Sequence, residues 1–357
     1  MKKNIGLDLL RVWLSFEVII DHFWHEPGLA GVPLFLSQMR SLAVPCFLLM
    51  SFYLTAHRYE SCDAGWLKKR FGRLGVPYLV WPLVYFGVLW LCVALSPAFR
   101  ETTLRATELK YYGFDLALDG WDLVRQWVFG MDRRLVHQFW FHHNLIVLTA
   151  GLFALFACVR RVRFRAYLLT AFVCLGLALQ YSPVNVWLFG GLPWEVKYSF
   201  GRLAATLPYA ALGLLVGFER GRLDGLRQGT RGFVAAVGAF LLLFVHYGNV
   251  MPRPSGLGYQ GLNLLVMAFG TVALFSCLPF DRAPKWLADA VAFVSRFCMG
   301  IYCCHLLVGY AVNAWLLPLL GLRFEGLGSC AVIWLVSYGV CLVLARLPGR
   351  LVKDLVQ

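Results

Sequence analysis

Long apolar runs recur from one end of this 357-residue chain to the other, and they limit its fold more than any other feature. A membrane span needs about 20 mostly apolar residues, because the hydrocarbon core is about 30 Å thick. Runs of that kind lie at 7–24, 36–56, 75–95, 139–158, 166–181, 201–218, 232–248, 261–278, 297–317 and 327–345. They are too long for strands. A helix satisfies its own backbone in lipid, whereas an open sheet leaves an edge unpaired. Charged residues make up only 15% of the chain, against about 25% in a soluble domain. The expectation is an all-α, polytopic bundle of about ten transmembrane helices, forming one domain over 1–357.

The charges supply an orientation. Of 33 Lys and Arg residues, 22 fall at the two ends or in the even-numbered gaps between runs. Basic residues favour the cytoplasmic side, so both termini are expected there. Six of the other 11 lie in the long loop 96–138, where the rule counts for less. That loop mixes Arg, Lys and Asp with Tyr111, Tyr112, Trp121 and Trp127. It reads as extracytoplasmic, partly an amphipathic helix on the outer surface or a cap over a cleft. The net charge of +14 is therefore a topology signal, and no nucleic-acid partner is expected. The eleven cysteines fall nearly all inside apolar runs, without metal-ligand spacing, so neither a disulfide framework nor a metal site is read from them. Lys2 and Lys3 precede the first run, which lacks an A-x-A-like end and is expected to be retained.

Ionisable groups inside spans are costly and point to function. The first run carries Asp8, Arg11, Glu17, Asp21 and His22. Arg11 and His22 are eleven residues apart, so they share a helix face about 16 Å apart along the axis. Ser15 continues that face, and Asp8 can pair with Arg11. This stripe is either a polar seam on an internal cavity or a snorkelling arginine with a satisfied histidine at the outer end. After the second run, Lys68, Lys69, Arg70 and Arg73 form a basic cluster. Arg70 and Arg73, three apart, are either a topology anchor or a phosphate fork.

Taken in order, these motifs resemble the acyltransferase-3 family of integral membrane O-acyltransferases. Arg11-x10-His22 is similar to its arginine-histidine signature, and Arg70-x-x-Arg73 followed by Leu74, Pro77 and Tyr78 to its second motif. Val44-Pro45-Cys46-Phe47 running to Ser51, Phe139-Trp140-Phe141, and Leu207-Pro208-Tyr209 with Gly213 resemble further elements. Gly300-Ile301-Tyr302-Cys303-Cys304-His305 is similar to its late Tyr-x-x-His element. Phe52 and Cys298 stand where the family usually has Gly and often has Ser. The resemblance implies an enzyme that takes an acyl group, commonly acetyl from acetyl-CoA, and places it on a hydroxyl of a carbohydrate or other exported acceptor. A bacterial-type inner membrane is the expected location.

The expected division of labour follows. Arg70 and Arg73, helped by Lys69 and Lys68, hold the donor's phosphates at the inner face. Arg11 orients the donor or its thioester carbonyl. His22 is the general base or is itself acylated first. Tyr302 and His305 share a face of the ninth run and complete the cavity, or else form an ordinary interhelical hydrogen bond. His142 and His143 read as interfacial, and Glu195 and Lys197 as possible acceptor contacts. The rival reading is a transporter or flippase for a glycan or lipid-linked substrate. That reading predicts inverted repeats with paired broken helices, and no internal repeat is found in the sequence.

Overall fold

The computed structural model describes residues 4–24, 39–95, 120–130, 137–159, 162–180, 191–245, 261–278, 280, 283–322 and 326–356. Every regular element among them is helical. In chain order the main helices are α1 (Ile5–Phe23), α2 (Ala43–Glu60), α3 (Ala64–Leu95), α4 (Gly120–Phe129), α5 (Trp140–Cys158) and α6 (Val162–Gln180). They continue with α7 (Trp194–Phe218), α8 (Gln228–Val245), α9 (Leu262–Cys277), α10 (Lys285–Ser295), α11 (Cys298–Ala311) and α12 (Leu327–Arg346).

Each of the ten apolar runs overlaps one of these helices. By length and composition, three helices among the described residues are long and apolar enough to cross a membrane: Trp140–Cys158, Val196–Phe218 and Leu327–Arg346. The α10–α11 pair qualifies as a fourth when its two halves, bent by 56°, are taken together. Phe164–Gln180, Gln228–Phe244 and Leu262–Cys277 are apolar but shorter. Much of the 96–138 loop lies outside the described residues, but α4 belongs to it. Leu123 and Gln126, three apart, are buried on one face of α4, while Trp121, Val124 and Val128 are exposed. Tyr78 on α3 donates its hydroxyl proton toward the carbonyls of Gln126 (2.8 Å) and Trp127 (2.7 Å), so α4 is pinned onto the bundle.

Helix α1 owes its position to its polar residues. It packs against α2, α9, α10, α11 and α12. Asp8, Ser15 and Glu17 are buried there. Asn4 caps its start by accepting from the Leu7 N–H (3.1 Å), which satisfies one orphan donor of the first turn. Glu17 accepts from Trp13 Nε1 at 2.7 Å, and Trp13 stacks on Phe275 of α9. A helix with this many carboxyls and cations is costly in contact with lipid, and enclosure by neighbours removes that cost.

Close approach elsewhere depends on small residues. A Cβ added at Gly213 of α7 would sit 2.5 Å from the Leu49 carbonyl oxygen of α2, and one at Gly217 would sit 2.5 Å from Ala56 Cβ. In lipid, where the hydrophobic effect does not drive helices together, such contact supplies the association energy. Arg165 adds polar cross-linking. Its guanidinium donates to the carbonyls of Val159 (2.6 Å), Phe156 (3.1 Å) and Glu60 (3.4 Å). It thus places a cation on the C-terminal ends of both α5 and α2, where unpaired carbonyls and the helix dipole favour positive charge.

Candidate active site

Two polar assemblies are built into the bundle. The first joins α1, α5 and α11. His22, in the last turn of α1, lies with its ring centroid 5.1 Å from that of His305 on α11. His305 is fully buried, and its Nδ1 lies 2.7 Å from the Tyr302 carbonyl oxygen one turn earlier. A carbonyl can only accept, so Nδ1 carries the proton and Nε2 presents its lone pair. Nε2 is buried without a partner among the described residues. Tyr302 donates its hydroxyl to the Gln138 carbonyl, and its ring lies 5.9 Å from His305 and 5.4 Å from His142 of α5. Gln138 Nε2 in turn donates to Tyr85 Oη (2.8 Å) and to the Cys303 carbonyl (3.0 Å). The rings of His22, His305, Tyr302 and His142 therefore run side by side across three helices.

The sequence expectations compare with this as follows. His22, Tyr302 and His305 meet. Arg11 and Asp8 pair at 3.0 Å, with the arginine side chain 34% exposed. The stripe beyond Arg11 faces protein. Ser15 Oγ accepts from Trp334 Nε1 of α12 at 2.9 Å, and His22 meets α11. His142, expected at an interface, is instead fully buried in the same cluster and corrects that reading. The reason is the stripe to which it belongs: His142, Leu145, Thr149, Leu152 and Phe156 are all buried at helical spacing. His143, on the next face, brings Nε2 to 3.1 Å from the Val128 carbonyl and so holds α4 in place. Lys197 is exposed, and the Glu195 side chain lies outside the described residues.

The second assembly surrounds Arg70 at the start of α3. Its Nη2 donates to Ser51 Oγ of α2 at 2.7 Å, and its Nε to Thr149 Oγ1 of α5 at 3.3 Å. Its Cζ lies 5.3 Å from the centroid of Trp66 and 5.9 Å from that of Phe52, within cation–π range. Among the described residues no carboxylate pairs with it. Arg73, Lys68 and Lys69 are exposed, so Arg70 and Arg73 differ in environment although they share a motif. The positive charge of this region is thus one inward arginine and three outward cations. Just before it, Asp63 caps α3 by accepting from the Trp66 N–H (2.9 Å) and pairs with Arg58 (2.9 Å). The Trp66 N–H, followed by Arg58, holds its carboxyl below the usual carboxylate range.

Among the described residues, no group of three or more His, Cys, Asp or Glu is placed to hold a metal ion. The cysteines described are free thiols.

An enclosed charged helix and long apolar helices define an integral membrane protein, and a cluster of imidazoles lies within its bundle. The acyltransferase-3 family model, described as an acyltransferase domain, matches residues 4–346, and the chain belongs to that family. No curated protein and no solved structure matches it. Membership makes the chain a membrane acyltransferase. Nothing in these comparisons favours a transporter.

Proposed function

We propose that this protein transfers an acyl group, acetyl in the first instance, from cytoplasmic acyl-CoA to a hydroxyl of an exported carbohydrate. It would do so in a bacterial-type inner membrane, with both termini cytoplasmic. The observation that carries the reading is the His22–His305 pair. Burial and the Tyr302 carbonyl fix one imidazole with its lone pair presented, and the second imidazole lies against it. A neutral imidazole with its lone pair presented can accept the proton of a hydroxyl nucleophile. The acceptor oxygen attacks the thioester carbonyl carbon, and the pair takes the hydroxyl proton. The C–S bond then breaks, and the proton passes to the departing thiolate. Direct transfer needs no acyl-enzyme, although His22 as an acyl carrier uses the same geometry.

The donor's phosphates fit the Arg70 region. The exposed cations Lys68, Lys69 and Arg73 meet the charge of the head group, while Arg70 is pre-oriented within the bundle. Arg11, half-exposed and tied to Asp8, lies about 16 Å from His22 along α1, a separation comparable with the reach of a pantetheine arm. It is assigned to the donor's passage toward the imidazoles.

The test uses full-length protein in liposomes supplied with acetyl-CoA and a soluble glycoside. His22→Ala and His305→Ala should each lower turnover by about 10²–10⁴-fold, the usual contribution of a positioned base, with the protein still inserted. Unchanged turnover in both variants would remove the pair from the chemistry.

A further inference from the structure

The proposed reaction also needs a group that holds the charge developing on the thioester oxygen, and Arg11, about 16 Å from His22 along α1, is too far from the pair to supply it. His142 is the strongest candidate. It is fully buried, and its Nε2 lies 3.7 Å from Cys303 Sγ. Its Nδ1 is buried without a partner among the described residues. The partner on the Nε2 side decides which proton it carries. A thiol is a weak acceptor but has a proton to give, whereas an imidazole lone pair accepts strongly. The favourable pairing is S–H toward Nε2, which leaves the proton of the neutral ring on Nδ1.

The two buried imidazoles are therefore set in opposite senses. His305 donates its Nδ1–H to a carbonyl and presents a lone pair, while His142 accepts from a thiol and presents an N–H. They flank Tyr302, at 5.9 and 5.4 Å between ring centroids. Gln138, whose amide nitrogen is bonded, leaves its Oε1 buried without a partner among the described residues. Native structures rarely leave buried polar atoms unpaired. A ligand with both donor and acceptor atoms would satisfy all three.

Resting on the acyl-CoA reading, we propose that His142 is a catalytic residue that donates its Nδ1–H to the oxyanion of the tetrahedral intermediate, with Cys303 as the positioning residue that fixes its tautomer. As the acceptor oxygen bonds to the carbonyl carbon, the π pair moves onto the carbonyl oxygen, where Nδ1–H holds it. On collapse that pair returns, the C–S bond breaks, and sulfur takes the proton held by the His22–His305 pair. His142 neither gains nor loses a proton overall.

The experiment follows thiol release from acetyl-CoA by full-length protein in liposomes, with and without methyl glucoside as hydroxyl probe. His142→Phe keeps an aromatic ring but no donor. It should lower kcat about 10²–10³-fold, the cost of losing one oxyanion donor, with little change in KM for acetyl-CoA. His142→Gln keeps an amide N–H and should recover part of the loss. Its rate should fall at the same acidic pH as wild type, because the base is untouched. Cys303→Ala should lower kcat, and Cys303→Ser should restore it. A His142→Phe variant at the wild-type kcat, or a Gln variant no better than Phe, overturns the assignment while leaving the acyl-CoA reading intact. If the Phe variant fails to fold, the Gln variant and the Cys303 pair decide in the same way. Wild-type protein that releases no thiol overturns the acyl-CoA reading and this inference with it.

Discussion

The imidazole cluster and the arginine socket are both polar and enclosed by helices, but they are finished to different degrees. Arg70 is held from several sides: hydroxyls take two of its five N–H groups and two rings lie within cation–π range, while the Oη of Tyr59, whose ring packs on Trp66, is the socket's one buried polar atom without a partner among the described residues. In the cluster, His305 Nε2, His142 Nδ1 and Gln138 Oε1 have no partner among the described residues. An engaged group has no further reaction to perform and sets geometry. A group left open inside a packed bundle has given up water without replacement, at a cost of about 1–3 kcal/mol per atom. Such a cost is tolerable where a bound substrate returns it. In the proposed reaction, the contrast separates a region that positions from a region that reacts.

The sharpest way to break this contrast is to delete from each side. His22→Ala or His305→Ala should remove about 10²–10⁴ in turnover with unchanged donor affinity, measured by initial rates across acetyl-CoA concentrations. Arg70→Ala plus Arg73→Ala should chiefly raise KM for acetyl-CoA, and the rise should shrink at high salt, where wild-type attraction is screened. A double variant with unchanged KM would make Arg70 a purely structural residue. Smaller still, Ser51→Ala and Thr149→Ala should each cost about 0.5–1.5 kcal/mol of stability, the net worth of one hydrogen bond, read as a lowered melting temperature in detergent. Both should leave kcat essentially unchanged, since the bonds removed are to Arg70 and not to the imidazole cluster.

The smallest effect concerns Asp63. Its folded-state pKa is depressed by the Trp66 N–H and Arg58, so its ionised form adds stability above the ordinary carboxylate pKa of about 4. That stability is lost as pH falls through the depressed folded value. Asp63→Asn keeps an acceptor for the cap but no charge. It should melt below wild type at neutral pH and converge with it in acid. A gap that persists into acid would assign the effect to packing.

How much of this could be read in the sequence differs between helices and site. The apolar runs placed helices well, because lipid and a packed interior demand the same residue types. The run at 75–95 began late because α3 extends back to Ala64 through the charged Lys68–Arg73 stretch. Propensity and a capping aspartate carry the helix there, and hydropathy does not register either. Helix α10 was read as a gap, because its eleven residues are too few to count as a span. In the site, Arg11–Asp8 and the His22 face followed from helical arithmetic. His142 was missed because its position near a run's end suggested an interface. Its spacing from Leu145 and Thr149 carried the correct signal, three and seven residues on. What no spacing reveals is the approach of α5 to α11, on which the His142–Tyr302–His305 sequence of rings depends.

Gly309 sits one turn beyond His305, and the ring of Phe23, next in the chain to His22, occupies the space where a side chain at 309 would stand. The distance between the two imidazoles is therefore gauged by a residue that has no side chain at all. Even a single methyl there would meet the Phe23 ring at 2.1 Å, so the ring must swing aside beside the imidazole of His22.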